Sequence, residues 1–387
     1  MKIACIGNMN NALFCVTRNL RDLGYDAHLL LVEEFDHFLP LADSYDGDLS
    51  DYVHQLNWYN IGHWDIKKEQ IINDLNDYDF FIGTDLAPAF LYKAGITLDI
   101  FTPHGGDVFH HCFYSFKNFP PKRYEIGSWW RSLEQRNGAR KAGKIMFDYT
   151  NDLYESYFKK ANLIKNRLIM NAPYLYSKQY SLSNLQKSPE FIKAKENRDK
   201  YDFIFFSQAR HCWKTNLHYK ANDRLIHGYA NFLNQNNEAN VLLILFEYGW
   251  DFEDSKELVI ELGINNKVLW LPIMSRKDLM AWLYFADLGI GEFGESFLTY
   301  GSVLESLSLK KPFLGYRRDE DFLEYYPELY PMISANTADL IAKAFEDVYK
   351  NPQKYKEMGQ KGYEWFMKYA IERPINEIVK QIEAKRL

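Results

Sequence analysis

The stretch ADLGIGEFGESFLTYGSVLESLSLKKP, residues 286–312, governs how the rest of this chain is read. It opens with the end of an apolar strand running to Glu292. A glycine-containing loop follows, then a Tyr300-Gly301-Ser302 turn, a short helix carrying Glu305, and a second strand opened by Pro312. A buried strand that feeds a loop and then a helix N-terminus is where α/β proteins hold phosphate and ribose. Glu305 is placed there to accept hydrogen bonds from a ribose diol.

Strand and helix patterns alternate on both sides of this segment. Upstream lie strands at Tyr201–Ser207, Val241–Phe246, Lys267–Pro272 and Leu288–Glu292. Helices at Asp223–Asn234, Glu253–Leu262 and Arg276–Phe285 separate them, and Ser275 is a candidate N-cap for the last. The first half repeats the alternation with strands at Lys2–Gly7, Ala27–Val32, Asp79–Gly83, Asp99–Pro103, Lys144–Phe147 and Arg167–Met170, the first followed by a helix over Asn11–Leu23. Short buried strands separated by helices predict parallel, helix-covered sheets. The Asp-rich segment Glu33–Lys68 reads as loops and insertions. The polar, lysine-rich run Tyr174–Lys200 reads as the connection between two α/β domains. Pro352–Leu387 reads as helical except at Pro374. The expected division is residues 1–180, a linker at 181–200, a second domain at 201–364, and a terminal helix at 365–387.

With 387 residues the chain is long enough for two domains at roughly 150 residues each. Hydrophobic residues make up 47% and charged residues 25%, the balance of a water-soluble globular protein. The 28 Tyr and 27 Phe are read as core filling. A formal net charge of −6 argues against a dedicated nucleic-acid binder. Cys5, Cys15, Cys112 and Cys212 are scattered, with no C-x-x-C pair, so neither a disulfide framework nor a zinc site is indicated. No apolar run approaches the ~18 residues a membrane span needs, and the N-terminus lacks a signal-peptide pattern. A cytoplasmic protein, soluble or peripheral at the inner face of a membrane, is the expectation.

The 286–312 segment resembles the nucleotide-sugar site of GT-B glycosyltransferases, especially the retaining group called family 4. In that family an Ala-Asp strand entry precedes a glycine loop, a glutamate, and a Lys-Pro seven residues later. Glu305 and Pro312 have that spacing. The resemblance implies two doubly wound Rossmann-like domains facing a cleft, with the terminal helix crossing back to the first domain. It also implies that Arg210, just after the strand ending in Ser207, and Lys220, just before a helix, clamp the donor diphosphate. Two fixed cations near a helix N-terminus stabilise the charge that grows on a departing nucleoside diphosphate. The competing reading of both is solvated surface cations. Glu305 with Tyr300, Gly301 and Ser302 would hold the ribose side of the donor, and Pro272 and Ile273 would lie beside the base. The family carries a second glutamate seven residues earlier. Here that position is Phe297, with Glu292 and Glu295 out of register.

In the first half, Thr102-Pro103-His104-Gly105-Gly106-Asp107 resembles the family's His-Gly-x-Asp element, which points into the interdomain cleft. His104 would donate to the transferred sugar or a phosphate, and Asp107 would orient the loop. The loop Gly7-Asn8-Met9-Asn10-Asn11 occupies the place of the family's acceptor loop, so Gly7, Asn8 and Asn10 are the acceptor-side candidates. The implied activity is sugar transfer from a nucleotide diphosphate sugar to a glycan, lipid-linked or protein acceptor, with retention. No cofactor or metal is implied. Three Asp-x-Asp matches, beginning at Asp46, Asp77 and Asp319, are read as chance in an Asp-rich chain, and no G-x-G-x-x-G follows a strand.

Two rival functions remain at this point: a GT-B epimerase acting on a nucleotide sugar, and a non-catalytic GT-B subunit that binds nucleotide or glycan. One region departs from the overall acidity. Between Phe113 and Lys144 stand Lys117, Lys122, Arg123, Arg131, Arg136, Arg140, Lys141 and Lys144, opposed only by Glu125 and Glu134. Trp129 and Trp130 lie in the same stretch. This pattern predicts an anionic membrane partner, against a solvated helix with its tryptophans in the core or a basic wall for an anionic glycan.

Overall fold

Seven strands form one sheet in the first half of the described residues: β1 (Lys2–Ile6), β2 (Asp26–Leu31), β3 (Val53–Gln55), β4 (Phe80–Gly83), β5 (Ile100–Phe101), β6 (Lys144–Met146) and β7 (Arg167–Leu168). Their order is β3-β2-β1-β4-β5-β6-β7, and every neighbouring pair is parallel. Six more, β8 (Phe203–Ser207), β9 (Val241–Phe246), β10 (Val268–Leu271), β11 (Leu288–Ile290), β12 (Phe313–Gly315) and β13 (Ile333–Ser334), form a second parallel sheet in the order β10-β9-β8-β11-β12-β13. The computed structural model describes residues 1–32, 39–148, 152–214 and 219–386. The chain divides into two units, Met1–Tyr176 with Tyr369–Leu387, and Ser177–Lys368.

Both sheets start at an inner strand, wind outward one way, and then restart on the other side. The reversal falls between β1 and β4, where Ile6 faces Gly83, and between β8 and β11, where Ser207 faces Ile290. In open α/β sheets a crevice opens at such a reversal, outside the carboxyl ends of the strands. Strand chemistry explains the layers. β8 and β9 are buried along their whole length, because helices cover both faces of a parallel sheet. Under the second sheet, Phe205, Phe232 and Phe345 pack together, with Phe205 and Phe345 ring centroids 4.4 Å apart. The aromatic richness is core filling there.

The first unit has a core on each face of its sheet. One holds Phe101, Phe147 and Phe158. The other joins Leu13, Leu20 and Phe80 to Ile375, Ile378 and Ile382 of the Arg373–Arg386 helix. The terminal helix therefore returns to the first unit, as expected. The chain passes Pro374 without breaking: a π-helical turn over Phe366–Glu372 precedes it, and Pro374 falls at the second position of the new helix, where a missing N–H is tolerated.

Two expectations are corrected. The irregular segment Glu33–Lys68 contains the edge strand β3, too short to show an alternating pattern; its residues 33–38 lie outside the described residues. Residues 181–200 are not an open linker. Helices Leu182–Leu185 and Glu190–Arg198 form there and belong to the second unit. Phe191 packs on Phe285 at 4.9 Å, and Trp282 Nε1 donates to Glu190 Oε2 at 3.0 Å. The lysines of this run are its solvent face, which hid a helix with a narrow apolar stripe.

Candidate functional site

The carboxyl edge of the second sheet is tied together by backbone bonds. Beyond β8 the chain stays in register with the segment after β9. His211 N donates to Tyr248 O at 2.8 Å, and Asp251 N donates to His211 O at 3.2 Å. Gly249 makes this possible: its φ is +124°, and a Cβ there would stand 2.2 Å from the His211 carbonyl oxygen. Lys220 N donates to Cys212 O at 2.7 Å, and Phe293 N to Lys220 O at 3.1 Å. Asn222 Oδ1 accepts from Cys212 N at 2.9 Å. The segments carrying Arg210, Lys220 and Glu292 are thus one connected surface. Residues 215–218 lie outside the described residues.

Glu305 sits in the Gly301–Ser308 helix, 7% exposed. Its Oε2 accepts from Gln208 Nε2 at 2.6 Å and its Oε1 from Arg276 Nε at 3.1 Å. One carboxylate therefore joins the end of β8, the first residue of the Arg276–Phe285 helix, and the helix after β11. Sequence reasoning missed both partners. Gln208 was legible as a polar residue at a strand end beside the reversal. Arg276 carries no local signal, because only the fold brings it to Glu305.

Arg210 lies over the Trp250 ring, its guanidinium carbon 4.8 Å from the centroid. Its Nε is buried without a hydrogen-bond partner among the described residues, and so are Ser207 Oγ and Gln208 Oε1. Buried polar atoms are nearly always paired. Three such orphans stand within four residues, at the sheet reversal between β8 and β11. Lys220 Nζ forms an ion pair with Glu292. Pro272 and Ile273 follow β10 and face outward, Ile273 being 65% exposed, and Trp250 and Tyr248 are exposed on the same edge.

The remaining donor-side candidates divide. Gly301 stands at the helix start, where a Cβ would lie 3.9 Å from Glu305 Oε1. Ser302 is buried, and its carbonyl accepts from Ser306 Oγ at 2.7 Å. Tyr300 turns its hydroxyl inward, accepting from Glu292 N at 3.0 Å, and burial pushes that hydroxyl well above its usual range. A Cβ at Gly291 would be 2.2 Å from the same oxygen. Tyr300 thus braces the loop, a correction to the donor contact expected of it. Phe297, where the family has its first glutamate, packs on Tyr300 at 6.3 Å. Ser275 holds the N-cap position, but its hydroxyl donates to Asp278 Oδ2 at 2.6 Å instead of accepting from the backbone.

In the first unit the loops after β1 and β5 meet. Asn10 Nδ2 lies 3.5 Å from His104 Nδ1, and the His104 ring tilts against Tyr174 at 5.5 Å. Burial pushes the imidazole down to about 4, so it is neutral near pH 7. Its Nε2 is buried without a partner among the described residues. Asp107 orients the loop as expected. Its Oδ2 accepts from Asp85 N at 2.9 Å and His104 N at 3.2 Å, and burial raises its carboxyl to about 6. With 2% exposure it has no surface to offer an acceptor. Gly7 and Asn8 are also corrected to scaffold. Gly7 takes a φ of +84°, and a Cβ would be 2.9 Å from Thr84 Cγ2. Asn8 Oδ1 accepts from Phe14 N at 2.9 Å, capping the Ala12–Asp22 helix from outside it. Of the loop residues, Asn10 is the one brought to His104, in a left-handed conformation.

Among the described residues no group of three or more His, Cys, Asp or Glu side chains gathers where a metal would sit. Asp46 pairs with Arg18, Asp319 with Arg317 and Asp321 with Arg318, so these Asp-x-Asp residues serve local ion pairs.

No protein-family profile matches the chain, and no curated protein matches it in sequence. Solved structures match it along its length. HepE of Anabaena, solved in complex with UDP-glucose, superposes with a TM-score of 0.66 at 14% identity, covering 99% of this chain and 99% of that one. WaaG, a glycosyltransferase involved in lipopolysaccharide biosynthesis, superposes at 0.54 with 13% identity over 99% and 98%. A putative UDP-N-acetylglucosamine 2-epimerase from Listeria monocytogenes superposes at 0.59 with 13% identity over 99% and 96%. With the two parallel sheets and the returning helix, these likenesses establish that the chain has the GT-B fold.

Proposed function

We propose that this protein transfers a sugar from a nucleoside diphosphate sugar to a glycan or lipid-linked acceptor, in the assembly of a bacterial surface glycan. The observation that carries the reading is the carboxyl edge of the second sheet: a buried carboxylate, Glu305, bonded to Gln208 at the end of β8, and, two residues further on, a guanidinium, Arg210, whose Nε lacks a partner among the described residues. Glu305 would accept from the ribose hydroxyls. Arg210 and Lys220 would hold the diphosphate, and the exposed Ile273 and Pro272 would flank the base. UDP is the first nucleotide to test, because the HepE structure holds UDP-glucose.

The reaction written for this site retains configuration. The acceptor oxygen bonds to the anomeric carbon on the face from which the phosphate oxygen departs. The acceptor's proton passes to that phosphate oxygen. Arg210 and Lys220 stabilise the charge that appears as the bond breaks. His104 is the first unit's candidate for a ligand contact. With Asn10 donating to Nδ1, the neutral ring would carry its proton on Nε2 and could donate to a hydroxyl of a ligand bound to the first unit.

Calorimetric titration with UDP, GDP and ADP tests the donor site, followed by transfer assays from the matching sugars. Binding of one nucleotide diphosphate that is lost in Glu305→Ala is expected. Unchanged affinity in both Glu305→Ala and Arg210→Ala removes the assignment. The epimerase likeness supplies the second reading, and incubating donor alone separates the two: an isomerised sugar without acceptor favours epimerisation.

A further inference from the structure

The Arg123–Lys141 helix shows almost no hydrophobic periodicity along its length. Its buried positions are Glu125, Ser132, Gln135, Gly138 and Ala139. Gly138 packs so close that a Cβ would stand 2.1 Å from the Pro88 carbonyl oxygen, and Gln135 Nε2 donates to Asp85 O at 2.7 Å. Its large apolar residues face outward. At about 100° per residue, Arg123, Ile126, Trp129 and Trp130 share roughly 120° of arc. Ile126 is 40% exposed and Trp130 47%. Stability within the unit gives no reason for tryptophans on that face, and the reading that placed them in the core is overturned.

The preceding loop extends the same surface. Glu125 is fully buried and accepts from Lys122 N at 3.0 Å, Lys117 N at 2.7 Å and Asn118 Nδ2 at 2.9 Å. The backbone bond from Lys122 leads in pulling its carboxyl down to about 2, so it stays a fixed anchor. The anchored loop holds Phe116 and Phe119 outward, and Phe119 is entirely exposed. Phe116 touches Trp129 at 6.1 Å, and Trp129 touches Trp130 at 6.2 Å, so these three rings are contiguous. Lys117, Lys122 and Arg123 surround them, all exposed. The two acids of the stretch are turned elsewhere: Glu125 is bonded to backbone and Asn118, and Glu134 lies 2.7 Å from His63. Among the described residues none of the eight cations forms an ion pair.

We propose that this surface seats the protein on an anionic phospholipid bilayer, with Phe116, Phe119, Trp129 and Trp130 entering the interface and Lys117, Lys122 and Arg123 on the lipid phosphates. Aromatic rings prefer the headgroup level, and cations beside an anionic leaflet add attraction within a Debye length. A protein partner would also cover apolar rings, but the excess of eight cations over two acids in this stretch favours an anionic surface. The proposal deepens the functional reading by putting a lipid-linked acceptor within reach, and it stands on different residues.

Co-sedimentation of the full chain with vesicles of phosphatidylcholine, with and without phosphatidylglycerol, tests it at low and moderate salt. Binding is expected only to the anionic vesicles, weakening with salt. Phe119→Ser with Trp130→Ser is expected to reduce it by about tenfold or more, and Lys117→Glu with Lys122→Glu likewise, with UDP affinity and melting temperature unchanged. Equal sedimentation with both vesicle types, or binding indifferent to the aromatic pair, overturns it. So does a wild-type dimer on size exclusion that the aromatic pair converts to monomer, since that assigns the face to a protein. UDP titration of the same samples reports separately on the donor site.

Discussion

Arg276 Nε reaches Glu305 Oε1 at 3.1 Å, joining the helix after β10 to the helix after β11 across the edge where the donor is proposed to bind. The pair is largely buried, with side chains 17% and 9% exposed. Arg276 therefore fixes the carboxylate in place, and a ribose diol would have to share it.

Glu305→Ala is expected to weaken nucleotide binding about tenfold or more, since a hydrogen bond to a charged group contributes about 1.5–3 kcal/mol. It also removes a buried charge-assisted bond to Arg276, so the melting temperature should fall. Glu305→Ala with Arg276→Met should recover stability but not affinity. Calorimetric titration beside thermal unfolding separates the two effects.

Arg210→Lys tests geometry against charge. A lysine keeps the charge but loses the planar fork and the seat on Trp250. Affinity for a nucleoside diphosphate is expected to drop about tenfold, with affinity for the bare nucleoside unchanged. Trp250→Ala should do the same more mildly. Equal losses for nucleoside and diphosphate would move Arg210 away from the phosphates.

His104 gives a prediction with a sign. Its imidazole is held down to about 4 by burial, against about 6.5 in an unfolded chain. Between those values the unfolded state binds the proton and the native state does not. This contribution is intact above pH 6.5 and is lost as pH falls toward 4. It amounts to no more than about 3 kcal/mol. His211, also lowered to about 4, acts in the same direction, whereas Asp107, raised to about 6, protonates in the native state first and acts in the opposite one. His104→Gln should therefore flatten, not abolish, the fall in melting temperature from pH 7 to pH 5. In transfer assays His104→Ala should lower turnover about tenfold with nucleotide affinity unchanged.

Gly249→Ala meets the His211 carbonyl at 2.2 Å and forces a side chain onto a φ of +124°. A loss of roughly 2–4 kcal/mol is expected, with weaker nucleotide binding, because the displaced segments carry Trp250 and Arg210. Denaturant unfolding measures the first effect and titration the second.

Ile378→Ala is expected to cost about 2–5 kcal/mol, the range for emptying a packed site. Ile378 is fully buried beneath the first sheet although it lies near the chain's end. An unchanged unfolding midpoint would mean that the terminal helix is not part of that core.

The division of information follows from range. Strands such as Val241–Phe246 and the Arg276–Phe285 helix were legible residue for residue, because burial on both faces of a sheet and helical spacing are written in neighbouring positions. The places of Glu305, Arg210, Lys220 and His104 at strand ends and helix starts were legible because such positions are local too. Chain-distant relationships were not. Nothing near Arg276 or Gln208 announces that they meet Glu305, and nothing near Tyr300 says that its hydroxyl braces Glu292. Asp107 and Asn8 resembled site residues and turned out to be scaffold, since a polar side chain beside a ligand loop and one bonded beneath it have the same local sequence. The outward tryptophans show the same limit. A helix whose inner face rests on Gln135 and Gly138 instead of leucines gives a periodicity that does not say which side is in. That answer came from Pro88 and Asp85, on another part of the fold.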